Sequence, residues 1–596
     1  MSVENLHLQD ARVLVDCAMG RTPADLVIRN GNWVSVQTGE IIPNTDVAVI
    51  EQRIAYVGPD AGHTIGENTT VVDAGGRYLC PGLLDGHMHV ESGMVTVTGF
   101  TRAVIPHGTT GMFIDPHEIA NVFGLRGVRL MVDEALQQPI HVFVQMPSCV
   151  PSAPGMETPG ATIGPAEVAE AMTWPNIIGL GEMMNFPGVF SSNDKVHAEM
   201  AVARKADKVI GGHYASLDLG LPFHGYAAGG PEDDHEGTRL EDAIARARQG
   251  MRVMMRFGSA WHDVAAQVKA VTESGLDSRY FLLCTDDSHS ETLITAGHMD
   301  RVIRHAIECG LSPMKALQMA TINTAEHFHV SRDMGMIAPG RFADIVLVKD
   351  LDHFAVDMVI AKGAVVAEQG ELRVSMPEVT YPEWALHSVH LKRPLAAADF
   401  RLKCDNKHCV TANVIGIIEN QAPTRHLRME IEPVDGEVKT DLGNDLAKVA
   451  LIERHHRTGR MQVGLVHGFG FNAPCAVATT VAHDSHNLIV VGTDDENMTL
   501  AANTLAGMDG GQVVVKDGQV IGQVRLPIAG LMSNSPAAEV ARQAATVLAG
   551  FQACGCSLNN PTMQLSLLGL VVIPDLRISD LGLVDVNHFD FIPVLE

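Results

Sequence analysis

Between about Gly82 and Phe328, short apolar runs alternate with helical segments, and this alternation constrains the fold most strongly. The runs are "GLLDGHMH", "GMFID", "HVFVQM", "IIGLGEM", "KVIGGHY", the weak "EDDHE", "RVMMRFGS" and "YFLLCTDD". Most are continuously apolar rather than alternating, as expected for strands buried on both faces. Segments such as "EIANVFGLRGVRLMVDEAL" and "RLEDAIARARQG" follow them with helical texture. Eight strand–helix units over about 250 residues is what a (β/α)8 barrel requires. The expected barrel spans residues 82–334.

The flanks have a different texture. "DLVIRNGNWVSVQTGEIIPNTDVAVIEQRIAYVG" (Asp25 to Gly58) breaks β-branched runs with Gly, Asn and Pro, which reads as several short strands. "GMIAPGRFADIVLVKDLDHFAVDMVIAKGAVVAEQG" (Gly335 to Gly370) has the same character. The two pieces are expected to build one small composite β-sandwich domain, residues 1–81 plus 335–370, interrupted by the barrel. Residues 371–596 mix strands such as "GQVVVKDGQVIGQVRL" with helices such as "PAAEVARQAATVLAGF" and are expected to form a further α/β domain. A chain of 596 residues exceeds one compact core, so several domains are expected.

Charge and composition exclude several classes. A net charge of -27 repels phosphate backbones, which argues against nucleic acid as a partner. The start "MSVENLHLQDARVL" lacks the basic and apolar regions of a signal peptide, and no apolar run reaches bilayer length. Ten cysteines are scattered without a CxxC, which reads as reduced thiols of a cytoplasmic protein.

Histidine carries the chemistry. In a strand, residues i and i+2 face the same way, so His87 and His89 of "PGLLDGHMHVES" can aim together into the barrel mouth. Taken alone, such a pair is a weak sign of a metal. Yet Glu182 ends the fourth run, His213 the fifth and Asp286 the eighth, and His235 lies in the sixth. Barrel enzymes place active-site groups at those C-terminal strand ends. A single catalytic ion takes about three protein ligands, so the six residues imply two ions. The expected division is His87, His89 and Asp286 on one ion, His213 and His235 on the other, and Glu182 bridging. Nitrogen and oxygen ligands without thiolate suit Mn²⁺ or Fe²⁺, with Zn²⁺ also acceptable.

Beyond the barrel motifs "DPHEIANVFG", "GLGEMMNFPGV", "DDHEGT" and "CTDDSH", the later segments "VAHDSHNLIVVGTDDENM", "LPIAGLMSN" and "LGLVDVNHFDFIPV" complete a pattern. Together these resemble the adenine deaminase family of the amidohydrolase superfamily over nearly the whole chain. The resemblance implies hydrolytic conversion of adenine to hypoxanthine and ammonia at a two-metal centre, as in purine salvage, and a homo-oligomer, in the simplest case a homodimer.

Deamination at C6 needs a nucleophilic water, a base and an acid for the ring. Asp286 is the expected base and proton shuttle. The ring acid is left between Glu118 and His117, although Asp115, Pro116 and Glu118 also make a good helix start. Asp287 and His289 are expected near the purine, and Ser92, Glu91 and Asp115 are further pocket candidates; plain loop or capping roles are the alternative for Ser92, Glu91 and His289. His483 and His486 of "HDSH" read as a structural loop or a lid on the mouth, with metal binding the lesser alternative. "ERHHRTG" reads as a solvated helix end, and His298 as a helix-packing residue. The main rival is hydrolysis of a cyclic amide or N-acyl substrate on the same barrel. A modified lysine usually bridges the metals of cyclic amidases, and Glu182 stands in its place. Deaminases with H-x-E and P-C-x-x-C are excluded because the second motif is absent.

Overall fold

The structure, a computed structural model, describes residues 10–406 and 408–596. The segment read for a signal peptide lies mostly in residues 1–9, outside the described residues.

Eight parallel strands build the barrel: β1 (Leu83–His89), β2 (Thr109–Ile114), β3 (His141–Met146), β4 (Ile177–Met183), β5 (Val209–Gly212), β6 (Asp233–Asp234), β7 (Arg252–Arg256) and β8 (Phe281–Cys284). β1 to β5 pair in sequence order, as do β6 to β8. Two seams close the ring. The Glu232 amide donates to the Ile210 carbonyl at 2.8 Å, joining β6 to β5. Past β8, Asp286 and Asp287 pair in parallel with Met88 and His89 of β1. The run "EDDHE" therefore does form the sixth strand, but only two residues of it are regular.

The barrel interior is filled. Leu84, Phe113, Phe143, Ile178, Val209, Met254 and Leu282 point into one buried cluster with Phe328. Phe328 stacks on Phe113 with ring centroids 3.9 Å apart, completing that cluster.

One nine-stranded sheet takes strands from both flanks of the barrel. Tyr78–Pro81, just before β1, sits between Leu26–Ser35 and Ile345–Val348. The strands that lead into and out of the barrel are thus hydrogen-bonded neighbours.

The C-terminal region carries an eight-stranded sheet. Its strand Leu446–Ile452 is buried on both faces. Ala450 and Ile452 pack with Met498, Ala501 and Leu505 of helix Asp495–Gly507. Val449 and Leu451 face the other way, into the same apolar cluster as Val97, Phe100 and Ile119 of the barrel. The apolar core is therefore continuous from barrel to C-terminal sheet. "ERHHRTG" is not a helix end: it leaves this strand as a bend, and His455 Nε2 lies 2.7 Å from the Ser485 carbonyl. His298 caps helix Met299–Glu308, buried between Thr109 (2.9 Å) and Asp85 (3.0 Å). Among the described residues, no helix is long and apolar enough to cross a membrane.

Candidate active site

The barrel mouth is built from strand ends. In β1, Leu83 faces the outer core and Leu84 the barrel interior, yet Met88 faces outward and His87 and His89 point into the mouth. A register shift between Asp85 and Met88 changes the parity. Without that bulge the two imidazoles would point away from the mouth. Asp85 stays outside and accepts from the Thr285 amide (3.0 Å) and hydroxyl (2.6 Å), tying β1 to the end of β8.

All six expected metal ligands converge. His213 Nδ1 lies 2.7 Å and His235 Nε2 3.0 Å from Glu182 Oε2. The other oxygen, Oε1, faces His89 Nε2 at 3.7 Å. Asp286 Oδ1 lies 3.3 Å from His89 Nε2 and 3.8 Å from His87 Nε2. His87, His89 and Asp286 form one group of potential ligand atoms, and His87, Glu182 and His235 another.

The donor set fits divalent cations. His87 Nε2 is buried and has no hydrogen-bond partner, which is costly unless something accepts its lone pair. Burial, with His235 and His89 nearby, pushes His87 down, so that lone pair is free. His89 Nδ1 donates to the Asp115 carbonyl at 2.8 Å, which turns its Nε2 lone pair toward the centre. Burial alone would raise Glu182, but His213, His117 and His235 outweigh it and hold the carboxylate well below its usual range. Asp286 adopts a left-handed backbone (φ +60°), a conformation that aspartate tolerates better than most residues.

The remaining expected residues divide into two groups. Asp115 does not line the cavity; its Oδ2 accepts from the Glu182 amide at 2.8 Å and so fixes the backbone of that candidate ligand. His117 Nδ1 lies 3.1 Å from Glu182 Oε1 and its Nε2 3.5 Å from Glu118 Oε1. Glu118, Ser92 and His289 line a cavity of about 320 Å³ that opens from the mouth. Asp287 accepts from the Ser92 hydroxyl at its rim. Burial would raise Glu118, but His483, His486 and His117 together hold it well below the carboxylate range. It is therefore ionised at neutral pH.

Arg256 escaped the reading of the sequence, whereas Glu91 stood as a pocket candidate set below helix capping, and His483 and His486 as a loop or a lid on the mouth. Arg256 ends β7 and donates to Asp286 Oδ2 at 2.9 Å, to Asp263 at 2.7 Å and to Glu236. The strand-end rule that picked out Glu182 and Asp286 applies equally to Arg256 in "RVMMRFGS". Glu91 is buried and lines the cavity, and its Oε2 has no partner. Burial, reinforced by Glu118, pushes it up to about 7. His483 and His486 reach in from the C-terminal region and both contact Glu118. More than half of the cavity wall, including Ala544, Leu548 and Met563, belongs to that region.

A closed parallel barrel with histidines and carboxylates gathered at its C-terminal mouth defines an amidohydrolase, and residues 78–366 match the amidohydrolase family. Residues 421–590 match the adenine deaminase C-terminal domain. The chain is 58% identical to "Adenine deaminase 3" of Rhizobium meliloti (strain 1021), covering 98% of each chain. It is 59% identical to "Adenine deaminase" of Mesorhizobium japonicum, covering 97% of this chain and 95% of that one. A relative of the same name in Moorella thermoacetica is 53% identical over 98% of both. The chain belongs to the adenine deaminase family.

Proposed function

We propose that the protein hydrolyses adenine at C6 to hypoxanthine and ammonia. Near-full-length identity to relatives named adenine deaminase supports this reading, and the convergence of the six ligands on one mouth is the observation that carries it. His87, His89 and Asp286 would hold one divalent ion and His213 and His235 a second, with Glu182 between them; Mn²⁺ or Fe²⁺ suits these donors best. Such ions, when bound, supply a water acidified from pKa 15.7 toward roughly 7.

The chain's own groups do the rest. Asp286 takes the water proton and passes it to the departing amino group. Arg256 holds the second oxygen of Asp286 and so fixes its direction. Asp115 and His117 fix Glu182. Ser92, Asp287, His289 and Glu91 line the space for the purine. Glu118, held ionised, is a counter-charge rather than a ring acid.

The division into a composite β domain (1–81 and 335–370), a barrel (82–334) and a C-terminal domain (371–596) is part of the same proposal. So is a cytoplasmic homo-oligomer, whose mass sedimentation would give. The experiment offers the Mn²⁺-loaded protein adenine, adenosine, dihydroorotate and an N-acetyl amino sugar. Ammonia and hypoxanthine from adenine are expected. Turnover of dihydroorotate or the acyl sugar, with none of adenine, would move the protein to the rival class.

A further inference from the structure

The loop after strand Cys475–Thr479 enters the barrel mouth from the C-terminal region, and two of its imidazoles clamp one carboxylate. His483 Nδ1 lies 2.9 Å from Glu118 Oε1, and His486 Nε2 contacts Glu118 Oε2. The two imidazoles have different roles. The Ala482 amide donates to His486 Nδ1 at 3.2 Å. An amide N–H can only donate, so His486 Nδ1 carries no proton and its Nε2–H donates to Glu118. A metal-binding imidazole needs the opposite arrangement, with one nitrogen donating outward and a bare nitrogen on the ion. His486 is thereby a neutral anchor that holds Glu118 in place.

His483 is only half-buried and lines the cavity together with Glu91, Ser92 and His289. Its Nδ1 is committed to Glu118, which leaves Nε2 for whatever occupies the cavity. A carboxylate on one imidazole nitrogen favours the protonated ring, and the other nitrogen then donates. The loop is fixed firmly enough to aim it. Buried Arg454 donates to the His486 carbonyl, to the Ser388 carbonyl at 3.0 Å and to the Ala529 carbonyl at 2.9 Å. Asn487 donates to the Thr158 carbonyl of the barrel at 2.9 Å. Only His117 separates Glu118 from Glu182, so the dyad borders the reacting centre.

We propose that His483 is a catalytic residue, the acid that gives its Nε2 proton to ring nitrogen N1 of the purine while Glu118 holds its Nδ1; this rests on the adenine reading above. The water oxygen bonds to C6, and the C6–N1 π pair takes the His483 proton at N1. The C6–N6 bond then breaks with its electrons on nitrogen, which leaves as ammonia carrying the proton that Asp286 took from the water. The hydroxyl proton remaining on oxygen returns to His483 as the C6 carbonyl forms. One water is consumed, and both side chains end as they began.

The charged and titratable groups facing His483 are Glu118 of the barrel, Asp484 and His486 of its own loop, and Asp287 across the mouth. Burial alone would lower His483, but Glu118, Asp484 and Asp287 outweigh it and push it up to about 9. Its cation therefore persists through neutral pH and is lost as pH rises past about 9.

The test compares wild type, His483→Gln and Glu118→Gln, each with metal content measured. In wild type, kcat for adenine should fall above about pH 9. His483→Gln should lower kcat about 10²- to 10⁴-fold, the range of a lost general acid. Adenine binding to its metal-free form, measured by calorimetry, should stay within a few-fold. Glu118→Gln, which keeps the shape but removes the counter-charge, should move the alkaline limb to lower pH. Wild-type kcat retained in His483→Gln would overturn the proposal. So would the loss of one bound ion per chain in that variant, which would make the triad a metal site, or a loss of adenine affinity equal to the loss of kcat. A wild type that releases no ammonia from adenine would instead overturn the adenine reading itself.

Discussion

Asp286 joins three demands at one residue: it faces two imidazoles, is gripped by Arg256, and holds a left-handed backbone. Burial would raise its pKa, but His89, Arg256 and His235 outweigh it and hold the carboxylate far below its usual range. Asp286→Asn would remove the proposed proton carrier without changing size, so kcat should fall about 10²- to 10⁴-fold. Adenine affinity measured by calorimetry should change little; retained turnover would require another base. Glu182→Gln should lose metal and activity together, read by elemental analysis, because an amide cannot balance two dications. At this scale much of the site was legible. His87, His89, Glu182, His213, His235 and Asp286 were visible because strand-end position is a sequence property. Glu91 was legible only as a pocket candidate ranked below capping, because its burial and its lone Oε2 depend on the neighbouring loop. Asp115 was placed in the pocket by its motif, whereas its carboxylate turns back to the Glu182 amide.

At the scale of elements, β1 explains why a period of two was sufficient and also incomplete. His87 and His89 share a direction, but the bulge after Asp85 decides which one, and no residue pattern in "LLDGHMH" announces it. β6 shows the opposite case, a weak run that still makes a strand because Glu232 bonds to the Ile210 carbonyl. The barrel interior is filled by an apolar cluster around Phe328. Phe328→Ala removes the ring stacked on Phe113 and should cost about 3–5 kcal/mol of stability. Denaturant unfolding should show that loss, while kcat of the folded fraction stays near wild type, since the ring touches no group of the mouth. An unchanged midpoint would mean that the stack carries no load.

At the scale of the whole molecule, the C-terminal region is part of the site rather than an appendage. His486 meets Glu118 across 368 residues of sequence, a contact that no spacing rule could reveal. Its strands were legible from β-branched runs; its docking was not, because that depends on the outer face of Leu446–Ile452 joining the barrel core. With one apolar cluster spanning both, calorimetry should show barrel and C-terminal sheet unfolding in a single transition. Two well-separated transitions would contradict that continuity. Ions bound only by the folded chain raise its stability by mass action, so removing them with a chelator should lower Tm. A two-ion centre that deaminates adenine can be counted by titrating metal-free protein with Mn²⁺ while following ammonia release from adenine. Activity should rise to a break at two ions per chain. A break at one ion, or no ammonia at any loading, would contradict it.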